Sequence, residues 1–159
     1  MTEGASGNQV GRLRKVLMAV VADLAFIVLD AERRDGPVTV PAHYWRMKLP
    51  VAHPLEGELL LAVEPGLLQE ITRNIYGLDA GQPTSDHEMD TLAELLNTIG
   101  GNLMRVVVPP TVKYELGLPV VPGNCETSGD PGLSFGFYSE EGRLIFSIFG
   151  QNLISEVIK

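Results

Sequence analysis

Ser85-Asp86-His87-Glu88-Met89-Asp90-Thr91-Leu92-Ala93-Glu94-Leu95-Leu96-Asn97-Thr98-Ile99-Gly100-Gly101-Asn102-Leu103-Met104-Arg105-Val106-Val107 is the longest stretch with one unbroken period, and Pro109-Pro110 follows close behind it. Met89, Leu92, Leu96, Ile99, Leu103 and Val106 recur three and four residues apart, the spacing of a helix with one apolar flank. Ser85 with Glu88 three residues on has the pattern of a capping box, and the paired prolines forbid continuation. A helix is therefore predicted from about Asp86 to Val107. At about 100° per residue, Asp90, Glu94, Asn97 and Gly101 fall on a second stripe, roughly 160° from the apolar one. That stripe faces solvent if the apolar flank meets a core.

Working outward, the flanking sequence supplies the core such a helix needs. From Val10, the positions Leu13, Leu17, Val20, Leu24 and Ile27 repeat at helical spacing and stop before Asp35-Gly36-Pro37. Residues Met1 to Asn8 are small and polar and are predicted to fray, leaving 1–9 as a flexible tail. Trp45, Met47, Leu49 and Val51 alternate with Tyr44, Arg46, Lys48 and Pro50, the period of a strand with one buried face. Glu58 to Val63 is a second, more apolar strand, and Pro54 and Gly57 between them suit a tight connection that makes the two neighbours. A short helix opens near Pro65, buries Leu67, Leu68, Ile71 and Ile75, and closes at Gly77.

A polar loop follows from Leu78 to Thr84. Beyond the long helix, Thr111 to Pro122 is extended and Asn124 to Pro131 is rich in turn residues. Leu133 to Tyr138 and Arg143 to Phe149, joined by Glu140-Glu141-Gly142, form a hairpin that places Phe135, Phe137, Phe146, Phe149 and, further up the chain, Trp45 in the core. Helices interspersed with strand pairs on short turns predict an α+β fold, a mainly antiparallel sheet layered with long helices. The tail from Gly150 to Lys159 carries no pattern that we interpret.

At 159 residues, the chain is read as a single domain spanning 1–159. Apolar residues at 45% and charged residues at 20% are globular proportions. A net charge of −8, with no basic cluster beyond Arg12, Arg14 and Lys15, argues against nucleic acid as a partner. Cys125 is the sole cysteine, which excludes an internal disulfide and a four-cysteine zinc site and fits the reducing cytoplasm. Val16 to Leu29 follows basic residues and invites a leader or anchor reading. It is interrupted by Asp23, however, and falls short of the ~20 apolar residues of a membrane span, so a buried amphipathic helix is expected and no membrane association.

The solvent stripe carries the chemistry. A glycine in a helix interior costs about 1 kcal/mol relative to alanine, so Gly100 and Gly101 together ask for close approach by something else. Packing on the chain's own sheet accounts for Gly100, at the edge of the core face, whereas Gly101 lies outward beside the Glu94 and Asn97 pair. Glu94-Leu95-Leu96-Asn97-Thr98-Ile99-Gly100-Gly101 resembles the Glu-x-x-Asn-x-x-x-Gly pattern of the CheC/CheX/FliY chemotaxis phosphatases. Leu17 to Leu29 resembles the first helix of that family and Gly57-Glu58-Leu59-Leu60-Leu61-Ala62-Val63 its glycine-led central strand. Leu118-Pro119-Val120-Val121 with Gly123 resembles the segment after the motif helix. These matches span most of residues 13 to 150. No Glu other than Glu94 has Asn three places on, and a single copy places the likeness nearer the CheX branch than the two-motif CheC type.

The resemblance implies an enzyme that removes the phosphoryl group from the aspartyl-phosphate of a CheY-like response regulator. Asn97 would enter the regulator's site and orient the attacking water, and Glu94 would pair with the regulator's active-site lysine. Asp90 and Gly101 would touch the partner at the rim. Magnesium would be held by the regulator, with no cofactor or metal on this chain, and a homodimer is implied. The spacing fits these roles on its own, because side chains three apart on a helix project together. An uncharged amide also offers donor and acceptor beside an anionic phosphate.

Other groups carry less. His43, His53 and His87 lack ligand spacing, and no nucleophile elbow, phosphate loop or dinucleotide fingerprint is present. Cys125 has no activating neighbour. Two readings from other classes remain beside the enzyme: a non-catalytic module binding a regulator, and a dimerising scaffold.

Overall fold

Strands of period two supply a sheet whose apolar side needs a cover, and the four helices among the described residues provide it. The structure, a computed structural model, describes residues 2–32, 39–77, 84–121 and 132–158, with backbone alone for 2–9. In chain order the elements are α1 (Thr2–Ala25), β1 (Asp30–Ala31), β2 (Trp45–His53), β3 (Gly57–Val63), α2 (Pro65–Tyr76), α3 (Ser85–Val107), β4 (Glu115–Leu116), β5 (Leu133–Ser139), β6 (Gly142–Phe149) and α4 (Gln151–Ile158). The strands form one sheet in the order β1-β5-β6-β3-β2-β4, and every pairing is antiparallel. The α+β layering expected from the sequence is the layering found.

Register follows from the apolar alternation. Leu49 opposes Leu59, Leu59 opposes Ile148, and Phe146 opposes Phe135, so one face of the central strands is continuous hydrocarbon. Met47, Leu49, Val51, Leu59, Leu61, Val63, Phe135, Phe137, Leu144, Phe146 and Ile148 join a single cluster there with residues of all four helices. The opposite face carries several polar pairs. Lys48 meets Glu58 at 3.2 Å, Ser134 hydrogen-bonds Ser147 at 2.9 Å, and the Arg143 guanidinium donates to both carboxylate oxygens of Glu32. Tyr44 donates to Glu64 on that side, and with Ala62 and Ile145 it forms a small second cluster.

Several expectations need correction. The first helix begins at Thr2, ahead of the first periodic residue, and ends at Ala25 instead of running on through Ile27 toward Asp35. Phe26 adopts a left-handed φ of 56°, and thereafter Ile27 and Leu29 are buried while Phe26 and Val28 are 80% and 78% exposed. A period of two thus replaces the helical one and leads into β1. The orphan carbonyl of Ala25 accepts from the Asn74 amide of α2 at 2.6 Å, which closes the helix end.

Trp45, expected in the core, sits at the start of β2 and is 37% exposed. The uninterpreted tail forms α4, with Leu153 and Val157 buried one turn apart. The turns at Asp35-Gly36-Pro37 and Asn124 to Pro131, with Cys125, and residues 78–83 of the polar loop lie outside the described residues. Within the described residues no helix is long and apolar enough to cross a membrane.

The second helix buries Leu67, Leu68 and Ile71 as expected, while Ile75 is half-buried. Pro65 opens α2, and Gly77 caps it with φ 67°. Because α4 closes the core beside β3 and β6, Leu153→Ala is expected to lower unfolding free energy by about 2–5 kcal/mol. The urea midpoint measures it.

Candidate active site on the long helix

The site is built on α3, which spans Ser85–Val107 and is wedged between the sheet and helices α1 and α2. That position buries more of it than a two-sided helix would. Glu88, Thr91, Leu92, Leu95, Leu96, Ile99, Gly100, Leu103 and Met104 are buried, so Leu95 and Met104 join the expected flank. Met89 and Val106, expected inside, are half-buried.

The N-terminal cap is Thr84, whose hydroxyl accepts from the His87 amide at 3.2 Å; the expected capping box of Ser85 and Glu88 does not form. Ser85 is instead the first helical residue, and Glu88 turns inward to 6% exposure. Burial raises the pKa of its carboxyl above the ordinary value of 4.5. The His87 ring lies against Tyr76 with centroids 4.6 Å apart.

Against this buried background, Asp90, Glu94 and Asn97 are exposed and Gly101 is half-exposed. They lie along one open stripe, which the exposed Asp86 and Arg105 extend at either end. Neighbouring polar groups turn back on the helix: the Thr98 hydroxyl donates to the Glu94 carbonyl and the Asn102 amide to the Thr98 carbonyl, each at 2.8 Å. The side chains of Glu94 and Asn97 have no hydrogen-bond or ion-pair partner among the described residues. An acid and an amide one turn apart are thus presented to solvent on a helix held from behind.

The two glycines separate cleanly. A Cβ at Gly100 would lie 2.8 Å from Leu49 Cδ2, 3.3 Å from Leu59 Cδ1 and 3.4 Å from Leu116 Cδ1, so the sheet's own packing accounts for that glycine. A Cβ at Gly101 would meet only the Tyr114 hydroxyl, at 3.8 Å, an ordinary contact. Nothing inside the described chain requires a glycine there. Tyr114, which sequence reasoning did not single out, reaches the stripe because β4 returns beside the end of α3. No local pattern announces it, since the approach is set by topology.

Known proteins with this architecture give the geometry a context. Chemotaxis protein CheX from Vibrio vulnificus superposes with a TM-score of 0.69 at 19% identity, covering 89% of this chain and 98% of that one. The chain has the CheC/CheX fold. CheX from Desulfovibrio desulfuricans gives 0.72 at 13% identity, over 89% of this chain and 97% of its own. CheX of a Borrelia burgdorferi complex containing CheY, BeF3 and Mg2+ gives 0.66 at 14%, over 89% and 96%. A FliM middle domain from H. pylori shares the fold as well, with a TM-score of 0.67 at 12% identity over 98% of this chain and 96% of that one. No family model matches the sequence, and the comparison with curated proteins gives no match.

Two outcomes follow from the helix itself. Gly101→Ala is expected to raise stability by up to about 1 kcal/mol through helix propensity, while Gly100→Ala loses that gain to overpacking, which typically costs about 1–3 kcal/mol. Urea unfolding of the pair decides it. For Glu88, the raised folded-state pKa means that the native state holds its proton more tightly than the unfolded one. Its stabilising contribution is full below 4.5 and is lost as pH rises through the folded value. Glu88→Gln should therefore match the wild type in acid and gain relative stability as pH rises above 4.5, measured as unfolding midpoint against pH.

Proposed function

We propose that this chain is a CheX-like phosphatase that hydrolyses the aspartyl-phosphate of a CheY-like response regulator in the cytoplasm. The observation that carries the proposal is the exposure of Glu94 and Asn97, side by side and unpartnered among the described residues, on a helix whose other flank is buried in the core. The fold shared with CheX, including a CheX seen in complex with CheY, supports it.

An aspartyl-phosphate is an activated acyl phosphate. What remains for a catalyst is to hold a water in line with phosphorus and to manage charge on the equatorial oxygens. In this reading the Asn97 amide enters the regulator's site, accepts from the water with its oxygen and donates with its NH2. Water attacks phosphorus, the P–O bond to the aspartyl carboxylate breaks, and inorganic phosphate leaves. The Glu94 carboxylate pairs with the regulator's lysine and fixes the approach of the helix. Magnesium bound by the regulator supplies the positive charge at the phosphoryl group. Asp90 and Gly101 line the rim of the contact, and a homodimer belongs to the same reading.

A second reading is a non-catalytic binding module, favoured by the likeness to a FliM middle domain, which shows that this fold is not confined to CheX. The two part at Asn97. Phosphate release from a phosphorylated CheY-like regulator should be accelerated by the wild type. Asn97→Ala should cut that acceleration by about 100-fold or more, since loss of a positioning group costs on that order. Glu94→Ala should weaken binding chiefly. Wild type that binds the regulator yet leaves its decay rate unaltered selects the binding module.

A further inference from the structure

Tyr114 stands at the C-terminal end of the stripe without an assigned role. Its ring packs against the main core and is half-buried. Its backbone is held by β4, where Glu115 opposes His53 and Leu116 opposes Val51 on β2. Along this segment Tyr114 and Leu116 turn toward α3: Leu116 lies on Gly100 and the Tyr114 hydroxyl on Gly101. Glu115 between them is exposed.

The hydroxyl itself has no hydrogen-bond partner among the described residues. A phenol usually finds one when its ring is packed, and here the free group points beside the open stripe. Gly101 is one turn beyond Asn97, about 6 Å along the axis. A Cβ at Gly101 would stand 3.8 Å from the hydroxyl, so the glycine leaves the space beside that oxygen clear. A tyrosine fixed by its ring loses little entropy on binding and offers both donor and acceptor, the properties of a strong interface contact.

We propose, resting on the regulator reading above, that Tyr114 is a docking residue whose hydroxyl hydrogen-bonds a backbone amide or carbonyl of the regulator next to its phosphorylated aspartate. Glu94 and Tyr114 then grip the partner on either side of Asn97. The Tyr114 contact forms in ground state and transition state alike, so it governs affinity and not the chemical step.

Tyr114→Phe removes the hydroxyl and keeps the ring, so the urea midpoint should stay at the wild-type value. Binding to the regulator loaded with beryllofluoride and magnesium should weaken by about 3- to 10-fold, the worth of one hydrogen bond. The rate of phosphate release at saturating regulator should be unchanged, in contrast to Asn97→Ala. An affinity for Tyr114→Phe equal to wild type overturns the docking role while leaving the phosphatase reading intact. A wild-type chain that neither binds nor dephosphorylates the regulator overturns both.

Discussion

The structure depends on α3 serving two masters at once. Its inward sides carry Leu92, Leu95, Leu96, Ile99, Leu103 and Met104 into the same cluster as the central strands. Each fully buried aliphatic side chain contributes about 1.5–3 kcal/mol, so the helix cannot shift or rotate without a large loss. Whatever stands on its remaining open stripe is therefore held at a fixed height and angle. Burial behind the helix is what makes a rigid tool of the residues in front.

Gly100 shows how tight that hold is. Three leucine methyl groups from β2, β3 and β4 converge on its missing side chain, so the helix lies closer to the sheet than a Cβ would comfortably allow. The contact also brings β4 alongside the helix end and, with it, Tyr114. One glycine in the core thus sets the position of a tyrosine at the surface. Its neighbour Gly101, free of such packing, carries no comparable constraint from inside the chain.

Where one apolar period ran undisturbed, the fold was legible in the sequence. Alternation along Trp45 to Val51 and Glu58 to Val63 gave β2 and β3 as neighbours, and the stripe on α3 gave the exposure of Asp90, Glu94 and Asn97. Where two periods overlapped, it was not. Leu24 and Ile27 continue a helical spacing on paper, yet Ile27 and Leu29 equally fit a strand, and the left-handed turn at Phe26 decided between them. Thr84 and Ser85 are both competent caps, and only the choice of Thr84 sends Glu88 inward. Leu153 and Val157 offer a single pair at helical spacing, too little to announce α4 before its partner surface is known. Tyr114 required the sheet order itself, because its neighbour Gly101 is distant in the chain and adjacent only through β4.

The order of groups along the open stripe argues for the direction in which a phosphorylated partner would lie. Asp90 and Glu94 place carboxylates toward the N-terminal half, Asn97 and Gly101 leave the next turn uncharged, and the exposed Arg105 follows with a positive charge. From Asp90 to Gly101 the stripe spans about 16 Å. On a chain of net charge −8, an anionic phosphoryl group is repelled least where the stripe is neutral, and a lysine is attracted most where it is acidic. A site that presents both, a cation on one side and a phosphoryl group on the other, fits the stripe in one orientation only. Reversal would bring the phosphate onto Glu94 and Asp90 and strand the lysine against an amide. The polarity of the stripe would thus select a docking direction before any close contact forms, with the amide, which can hold a water without repelling phosphate, at the phosphoryl end.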